Sequence, residues 1–258
     1  MNNLLLRILS ALVMLPVAIA LILYGGWVYT AVILLLSVLI LQEWNMITTG
    51  GWKTPLFFVQ AALVLALGVS LKLFGSVSLI DLLVFLNAIL LTAILSKKDF
   101  KFAVAGGFYA LLPALSLIWL REYLPGGAYI ILWAMILVWS MDTGAYFAGK
   151  KIGGPRMSPK ISPNKTWAGL IGGAILALIT GTVSARYFGF QPLYQFVIIS
   201  VVLAVWSQIG DLAESAVKRK FKVKDSGAII PGHGGILDRV DGILFVMPVV
   251  ALYLYFGG

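Results

Sequence analysis

The stretch with the clearest chemical pattern runs from Ser215 to Asp241 and is the longest polar interval in a chain that is 61% hydrophobic. It holds six of the 19 lysines and arginines, the only histidine and three of the ten acidic residues. Asp238 and Asp241 stand three positions apart at the start of an apolar segment, a spacing that places two carboxylates on one face of a helix. A basic run, a glycine-rich turn and an acidic pair in this order indicate a site for a polyphosphate and its metal ion at a membrane surface.

The composition excludes an ordinary soluble domain. Only 11% of the 258 residues are charged, whereas about a quarter are charged in soluble proteins. The chain has no cysteine, so any metal ion must have oxygen ligands or the single histidine. The net charge of +9 is distributed as expected for membrane topology and phosphate binding, so no nucleic-acid partner is predicted.

Apolar segments of about 20 residues predict nine membrane-spanning helices. They are placed at residues 4–23, 28–47, 55–74, 77–95, 102–121, 128–149, 167–187, 192–217 and 240–256. Glycine and proline mark the breaks between them. The first is expected to be a retained helix rather than a cleaved signal peptide. Small residues in the seventh helix, Gly169, Gly172, Gly173 and Ala174, would allow close approach of a neighbouring helix.

The positive residues predict the orientation of these helices. With nine helices, sixteen of the 19 lysines and arginines lie on one side, and only Lys72, Arg121 and Arg186 lie on the other. The positive-inside rule therefore predicts a cytoplasmic N-terminus and a C-terminus outside. The predicted fold class is all-α, a polytopic integral membrane protein. Residues 1–125 form scaffold helices 1–5, and residues 126–258 form helices 6–9 with the cytoplasmic loops of the catalytic site.

The predicted orientation of the helices places five acidic residues at similar depth near the cytoplasmic surface. They are Asp142, Asp211, Glu214, Asp238 and Asp241. A carboxylate inside an apolar helix costs roughly 2.5–3.5 kcal/mol and indicates a functional site. Mg²⁺ suits ligation by a few carboxylates, water and substrate phosphates. The alternative is that each acid pairs with a nearby cation, for example Asp211 or Glu214 with Lys218.

A second polar interval, residues 150–166, leads directly into the seventh helix. Ser162, Asn164 and Lys165 are candidate ligand contacts because a helix N-terminus favours phosphate. The other cations of this loop could instead contact anionic lipid headgroups. His233, between glycines, is either structural or a hydrogen-bond donor to phosphate or base. Glu43, near the cytoplasmic end of the second helix, could face the site, but it is expected to be an interfacial residue.

The stretch from Ser215 to Asp241 resembles the signature of the phosphatidate cytidylyltransferases, or CDP-diacylglycerol synthases. The residues that carry this resemblance are Ser215, Lys218, Arg219, Lys224, Asp225, Gly227, Pro231, His233, Gly234, Gly235, Asp238, Arg239 and Asp241. Residues 142–146 and 162–166 also resemble blocks of this family, which extends the likeness over roughly the C-terminal half. The resemblance implies an enzyme that makes CDP-diacylglycerol and pyrophosphate from CTP and phosphatidic acid, with the site facing the cytoplasm of the inner membrane, and it implies a homodimer.

The following roles are hypotheses for that reaction. Asp211, Asp238 and Asp241 hold Mg²⁺, and Asp142 is a further ligand or holds a second cation such as K⁺. The basic residues Lys218, Arg219, Lys224 and Arg239 hold phosphates, with Lys218 and Arg219 counted among the catalytic residues. Ser162, Asn164, Lys165 and His233 contact CTP or the lipid headgroup.

Two other classes of function remain open from the residues alone. One is another CTP-using membrane lipid transferase or kinase, although the longer acidic motif of the CDP-alcohol phosphotransferases is not found in the sequence. The other is a cation-coupled transporter. Transport sites lie near the bilayer midplane between repeated halves, whereas these acids lie at one edge and no repeat is visible in the sequence.

Overall fold

The computed structural model describes residues 3–96, 100–227 and 234–257 and shows nine α-helices and one antiparallel strand pair within them. The elements are α1 (Asn3–Tyr24), α2 (Gly26–Thr49), α3 (Pro55–Phe74), α4 (Leu79–Ser96), α5 (Phe100–Tyr123), α6 (Gly127–Lys151), β1 (Arg156–Ser158), β2 (Ser162–Thr166), α7 (Trp167–Tyr187), α8 (Leu193–Lys220) and α9 (Leu237–Gly257). Among the described residues, α2 to α9 are eight helices long and apolar enough to cross a membrane, and Leu12–Tyr24, the C-terminal part of α1, is a shorter apolar segment. The chain is therefore a nearly all-α, polytopic membrane protein, as predicted.

The helix ends follow the turn residues of the sequence. Gly50 and Gly75 have φ values of 75° and 72°, and each donates its N–H to a carbonyl one turn back, which ends α2 and α3. Thr54 begins α3 because its side-chain oxygen accepts an N–H of the first turn, and Pro55 follows at the first helical position. All nine helices begin and end within three residues of the predicted bounds.

The chain divides into two compact units. Unit 1 comprises Met1–Ala128 and Asp225–Val240, and unit 2 comprises Tyr129–Lys224 and Asp241–Gly258. In unit 1, α2 packs on α3 and α5, and α3 also packs on α4. In unit 2, α7 packs on α8. The predicted boundary near residue 125 separates a scaffold from a catalytic region by function, and it stays a prediction.

The two faces of helix α7 differ in the size and in the exposure of their side chains. One face carries small buried residues at a spacing of four: Gly169, Gly173, Ala177 and Gly181. The opposite face carries large side chains that are all more than half exposed: Ile171, Ile175, Ile179 and Val183. Small residues let helix backbones approach in a membrane, while large aliphatic side chains are at no disadvantage facing lipid. The pattern therefore assigns the first face to helix packing and the second to lipid.

Candidate active site

A cavity in unit 2 gathers several of the predicted site residues. It has a volume of about 340 Å³ and is bounded by α6, the β1–β2 hairpin, α7 and α8. Its lining residues are Asp142, Ala145, Tyr146, Met157, Ser162, Asn164, Lys165, Thr166, Gly169, Leu170, Gln208 and Asp211. Five residues predicted from the sequence thus meet here: Asp142, Ser162, Asn164, Lys165 and Asp211.

Backbone contact between α6 and α7 sets one wall of this cavity. A Cβ added to Gly144 would lie 2.8 Å from the Cα of Gly173, and one added to Gly169 would lie 2.9 Å from the carbonyl oxygen of Ala145. The predicted close approach at the small residues of α7 is therefore confirmed for these glycines. Because the two backbones touch, Asp142 on α6 is held beside the start of α7.

The β1–β2 hairpin sets a second wall. Its register pairs Arg156 with Thr166 and Ser158 with Ser162. Thr166 ends β2 and caps α7, since its Oγ1 accepts the N–H of Gly169 at 3.1 Å. The sequence predicted only a non-helical loop here. The strand pairing is a further finding, and it fixes the segment that carries the predicted ligand contacts against the cavity.

The two carboxylates of the cavity have different partners. The Nζ of Lys165 lies 2.6 Å from Oδ2 of Asp211, and Ser215 donates to Oδ1 of the same carboxylate at 3.3 Å. Asp142 instead accepts a hydrogen bond of 2.9 Å from the side-chain amide of Gln208. Gln208 is buried one turn before Asp211 on α8. The sequence analysis did not single out this glutamine, although a buried amide one helical turn from a site carboxylate is a usable signal.

The basic end of α8 has structural contacts of its own. The Nζ of Lys218 lies 3.1 Å from Oε1 of Glu214, whose side chain is only 1% exposed. The alternative that Glu214 is an ion-pair partner of Lys218 is thus confirmed, while Asp211 pairs with Lys165. Arg219 donates from Nε to the carbonyl of Ile161 at 3.3 Å. Arg219 thereby connects the end of α8 to the turn of the hairpin.

The remaining predicted residues are spread over both units. Asp241 is in unit 2 and accepts the N–H of Gly242 at 2.8 Å. A Cβ added to Gly242 would lie 2.9 Å from Val138 and 3.4 Å from Ser207, so α9 packs there against α6 and α8. Lys224 and Arg239 are exposed. His233 lies outside the described residues.

Asp238 lies in unit 1, in the first turn of α9, where a negative charge is favoured by the helix dipole. Its Oδ2 accepts the N–H groups of Ser226 and Gly235, each at 3.0 Å. Glu43 of α2 lies in the same unit and is 2% exposed, so the expectation that it is an interfacial residue was wrong. The signal was present in the sequence, because Glu43 is also a carboxylate inside an apolar helix.

The acidic groups do not by themselves form a closed metal site. In the described ranges, no three Asp, Glu or His side chains are placed to hold one ion. The cavity nevertheless offers several oxygen donors, namely the carboxylates of Asp142 and Asp211 and the side-chain oxygens of Ser162, Asn164 and Thr166. Mg²⁺ is commonly held by one or two carboxylates, with water and substrate phosphates completing its shell. The donor set therefore fits Mg²⁺ together with a phosphate substrate.

Comparison with known proteins gives consistent results over nearly the whole length. The family model described as the cytidylyltransferase family matches residues 5–256. A phosphatidate cytidylyltransferase of Brucella suis is 39% identical over 256 residues, covering 99% of this chain and 94% of the relative. Proteins of the same name match from Staphylococcus saprophyticus, at 35% identity with 96% of this chain and 98% of the relative covered, and from Bacillus subtilis, at 40% identity with 70% and 68% covered.

Proposed function

The chain belongs to the cytidylyltransferase family, and we infer that it transfers the cytidylyl group of CTP to phosphatidate, giving CDP-diacylglycerol and pyrophosphate. The cavity is the structural observation that carries this inference, because it brings two carboxylates, a lysine and hydroxyl groups together in a polytopic membrane protein. In this reaction a soluble, highly charged nucleotide reacts with the phosphate of a lipid whose acyl chains lie in the bilayer. The relatives are bacterial, which indicates the cell membrane as the location.

We propose that the site faces the cytoplasm. The support is the distribution of charge, with sixteen lysines and arginines on the side that bears the hairpin and three on the other. Because the chain has no cysteine, single introduced cysteines test this directly in intact cells. An impermeant maleimide added outside should label Ser76→Cys and leave Lys160→Cys unlabelled. The reverse pattern would overturn the orientation.

The proposed reaction is an in-line displacement. A phosphate oxygen of phosphatidate forms a bond to the α-phosphorus of CTP, and the bond from that phosphorus to the β-phosphate bridging oxygen breaks, so pyrophosphate leaves with the electron pair. Such a transfer depends on positioning and charge stabilisation more than on covalent chemistry. Lys165 lines the cavity and is proposed to bind a phosphate oxygen, with Ser162 and Asn164 as proposed hydrogen-bond partners beside it. Lys218, Arg219, Lys224 and Arg239 are proposed as further phosphate contacts.

We propose that Mg²⁺ is the cofactor and that Asp142 and Asp211 contribute to holding it, with Asp238 and Asp241 as further candidate ligands. The charge of the cavity supports this. Among its described lining residues, two carboxylates and one ammonium leave a net charge of −1. A polyphosphate would be repelled by that surface, and a divalent cation would reverse its sign. When bound, the cation neutralises charge that develops on the phosphates. A second cation such as K⁺, and a homodimer, stay predictions.

The deciding experiment supplies labelled CTP and phosphatidate in detergent and counts lipid-soluble label and pyrophosphate. Metal-dependent formation of both products in equal amounts is the expected result. Asp142→Asn should reduce it strongly. The matched control is Asp81→Asn, since Asp81 accepts hydrogen bonds from Ser78 at the start of α4 and Asn can accept them too. If product formed with a different lipid acceptor and not with phosphatidate, the chain would be assigned to another class of CTP-using transferase.

A further inference from the structure

Glu43 is a buried charged group that the proposed reaction does not use. It lies on α2 of unit 1 and is 2% exposed, although α2 is otherwise an apolar, membrane-length helix. A carboxylate at such a position is costly and is retained where it has a specific partner or function. The partners of Glu43 are therefore informative.

Among the residues that the structure describes, the carboxylate of Glu43 accepts three hydrogen bonds, and all three come from the part of the polar stretch that precedes and begins α9. Oε1 accepts the N–H of Ile236 at 2.9 Å, and Oε2 accepts the N–H of Leu237 at 2.8 Å. Oε2 also accepts the hydroxyl of Ser226 at 2.9 Å. One side chain thus binds residues on both sides of the segment between 227 and 234. It also satisfies two N–H groups that a helix start leaves without intrahelical partners.

The glycines beside these contacts are explained by the same carboxylate. A Cβ added to Gly235 would lie 2.5 and 2.7 Å from the two oxygens of Glu43, and one added to Gly227 would lie 2.8 Å from Oε1. Real Cβ atoms do not approach oxygen this closely. A side chain at Gly227 or Gly235, which belong to the polar signature, would therefore displace the carboxylate of Glu43 from its present position.

Ser226 transmits the position of Glu43 to a proposed site residue. Its hydroxyl is held by Glu43, while its N–H donates to Asp238 at 3.0 Å. Asp238 also accepts the N–H of Gly235 at 3.0 Å, next to the two N–H groups that Glu43 binds. The two carboxylates therefore bind the same two short segments, at Ser226 and at residues 235–237, so a shift of Glu43 is expected to move the hydrogen-bond partners of Asp238.

We propose that Glu43 is a positioning residue for the cytidylyl transfer: it joins Ser226 to the start of α9 and thereby sets the position of Asp238. The proposal rests on the proposed function for its link to catalysis. Glu43 touches no reacting atom and acts through Ser226, Ile236 and Leu237. The geometry of those backbone groups can be measured without substrate.

The test compares Glu43→Gln with Glu122→Gln in the purified full-length protein. Glu122 is a matched control because its side chain is 9% exposed, it accepts the N–H of Gly26 at 2.8 Å, and it forms an ion pair with Lys72 away from the polar stretch. Both variants lose buried hydrogen bonds, so both should unfold at a lower temperature. Only Glu43→Gln should lower kcat per folded molecule, by about tenfold to a hundredfold, since a displacement of about 1 Å near a site can cost about a hundredfold in rate.

Hydrogen exchange without substrate gives the second measurement. Glu43→Gln should speed exchange at the N–H groups of Ser226 and of residues 235–237, while Glu122→Gln leaves them at the rate of the unsubstituted protein. Ser226→Ala combined with Glu43→Gln should be no slower in turnover than Glu43→Gln alone, because both act through one contact. Normal kcat in Glu43→Gln, or equal acceleration of exchange in both glutamine variants, would overturn the proposal. If the unsubstituted protein showed no cytidylyl transfer, the proposed function would be refuted. The exchange result would still show whether Glu43 holds Ser226 and residues 235–237 in place.

Discussion

Substitutions at the ion pair between Lys165 and Asp211 can distinguish its contribution to stability from its contribution to turnover. The two charged atoms are 2.6 Å apart, and the side chains are 16% and 32% exposed. Removing one partner of a fully buried pair costs about 3–5 kcal/mol, whereas an exposed pair contributes about 1 kcal/mol or less. For this intermediate exposure we expect Lys165→Met or Asp211→Asn alone to cost about 1–2 kcal/mol of unfolding free energy. The double variant should recover most of it, since no charge is then left unpaired.

Turnover should respond differently from stability. Lys165 is proposed to bind a substrate phosphate and Asp211 to help hold the metal ion, so the reaction needs both charges. Loss of one group that stabilises transition-state charge typically lowers kcat by about 10²–10³-fold. We expect each single variant to lose about that much, and the double variant to be at least as slow as the slower single one although its stability has returned.

The measurement uses four proteins: the unsubstituted chain, Lys165→Met, Asp211→Asn and the double variant, each purified in the same detergent. Unfolding is followed by heat or denaturant, and turnover by lipid-soluble label from CTP. If turnover returned together with stability in the double variant, the pair would be structural and the assignment of both groups to the reaction would be wrong. If the two stability losses simply added, the pair itself would be absent.

Three further predictions concern the walls of the cavity. Gln208→Leu should lower kcat by about tenfold because it removes the donor that orients the Asp142 carboxylate; unchanged turnover would show that this hydrogen bond is dispensable. Gly173→Val should lower the melting temperature and turnover together, since even a Cβ there would contact the Met141 carbonyl at 2.5 Å, whereas Ile175→Val on the lipid face should leave both unchanged. Removal of divalent metal with EDTA should abolish turnover and Mg²⁺ should restore it; full activity in EDTA would refute the metal proposal.

The helices were predictable because a bilayer imposes a simple length and polarity requirement on each one. Runs of about 20 apolar residues satisfy it, and glycines at the breaks locate the ends. The two faces of α7 were partly predictable for the same reason, since Gly169 and Gly173 mark a packing face. The hairpin could not be predicted. Its strands, Arg156–Ser158 and Ser162–Thr166, are short, and they show no alternation of polar and apolar residues.

The pairing of charges could not be read from the sequence either. Residues four positions apart on a helix lie close together, so an ion pair between Lys218 and Glu214 could be predicted from their spacing. Lys165 and Asp211 are 46 positions apart, and only the packing of the hairpin and α8 around one cavity brings them together. The contacts of Glu43 could not be read from the sequence, because its partners lie more than 180 positions away. The rule that a carboxylate in an apolar helix has a function applied to it as well as to the aspartates.

The two carboxylates of the cavity are compensated in different ways, and for the proposed cation and nucleotide this difference predicts an order of binding. Asp211 lies against an ammonium group, whereas Asp142 receives a hydrogen bond from a neutral amide, which contributes no charge. The negative charge that the cavity retains is therefore concentrated at Asp142. A nucleotide arriving first would be repelled by it, and a divalent cation arriving first or with the nucleotide would be attracted. Once a phosphate lies nearby, the flexible stem of Lys165 allows its ammonium to exchange Asp211 for a phosphate oxygen, which frees that carboxylate at the moment when the substrate brings additional charge into the site.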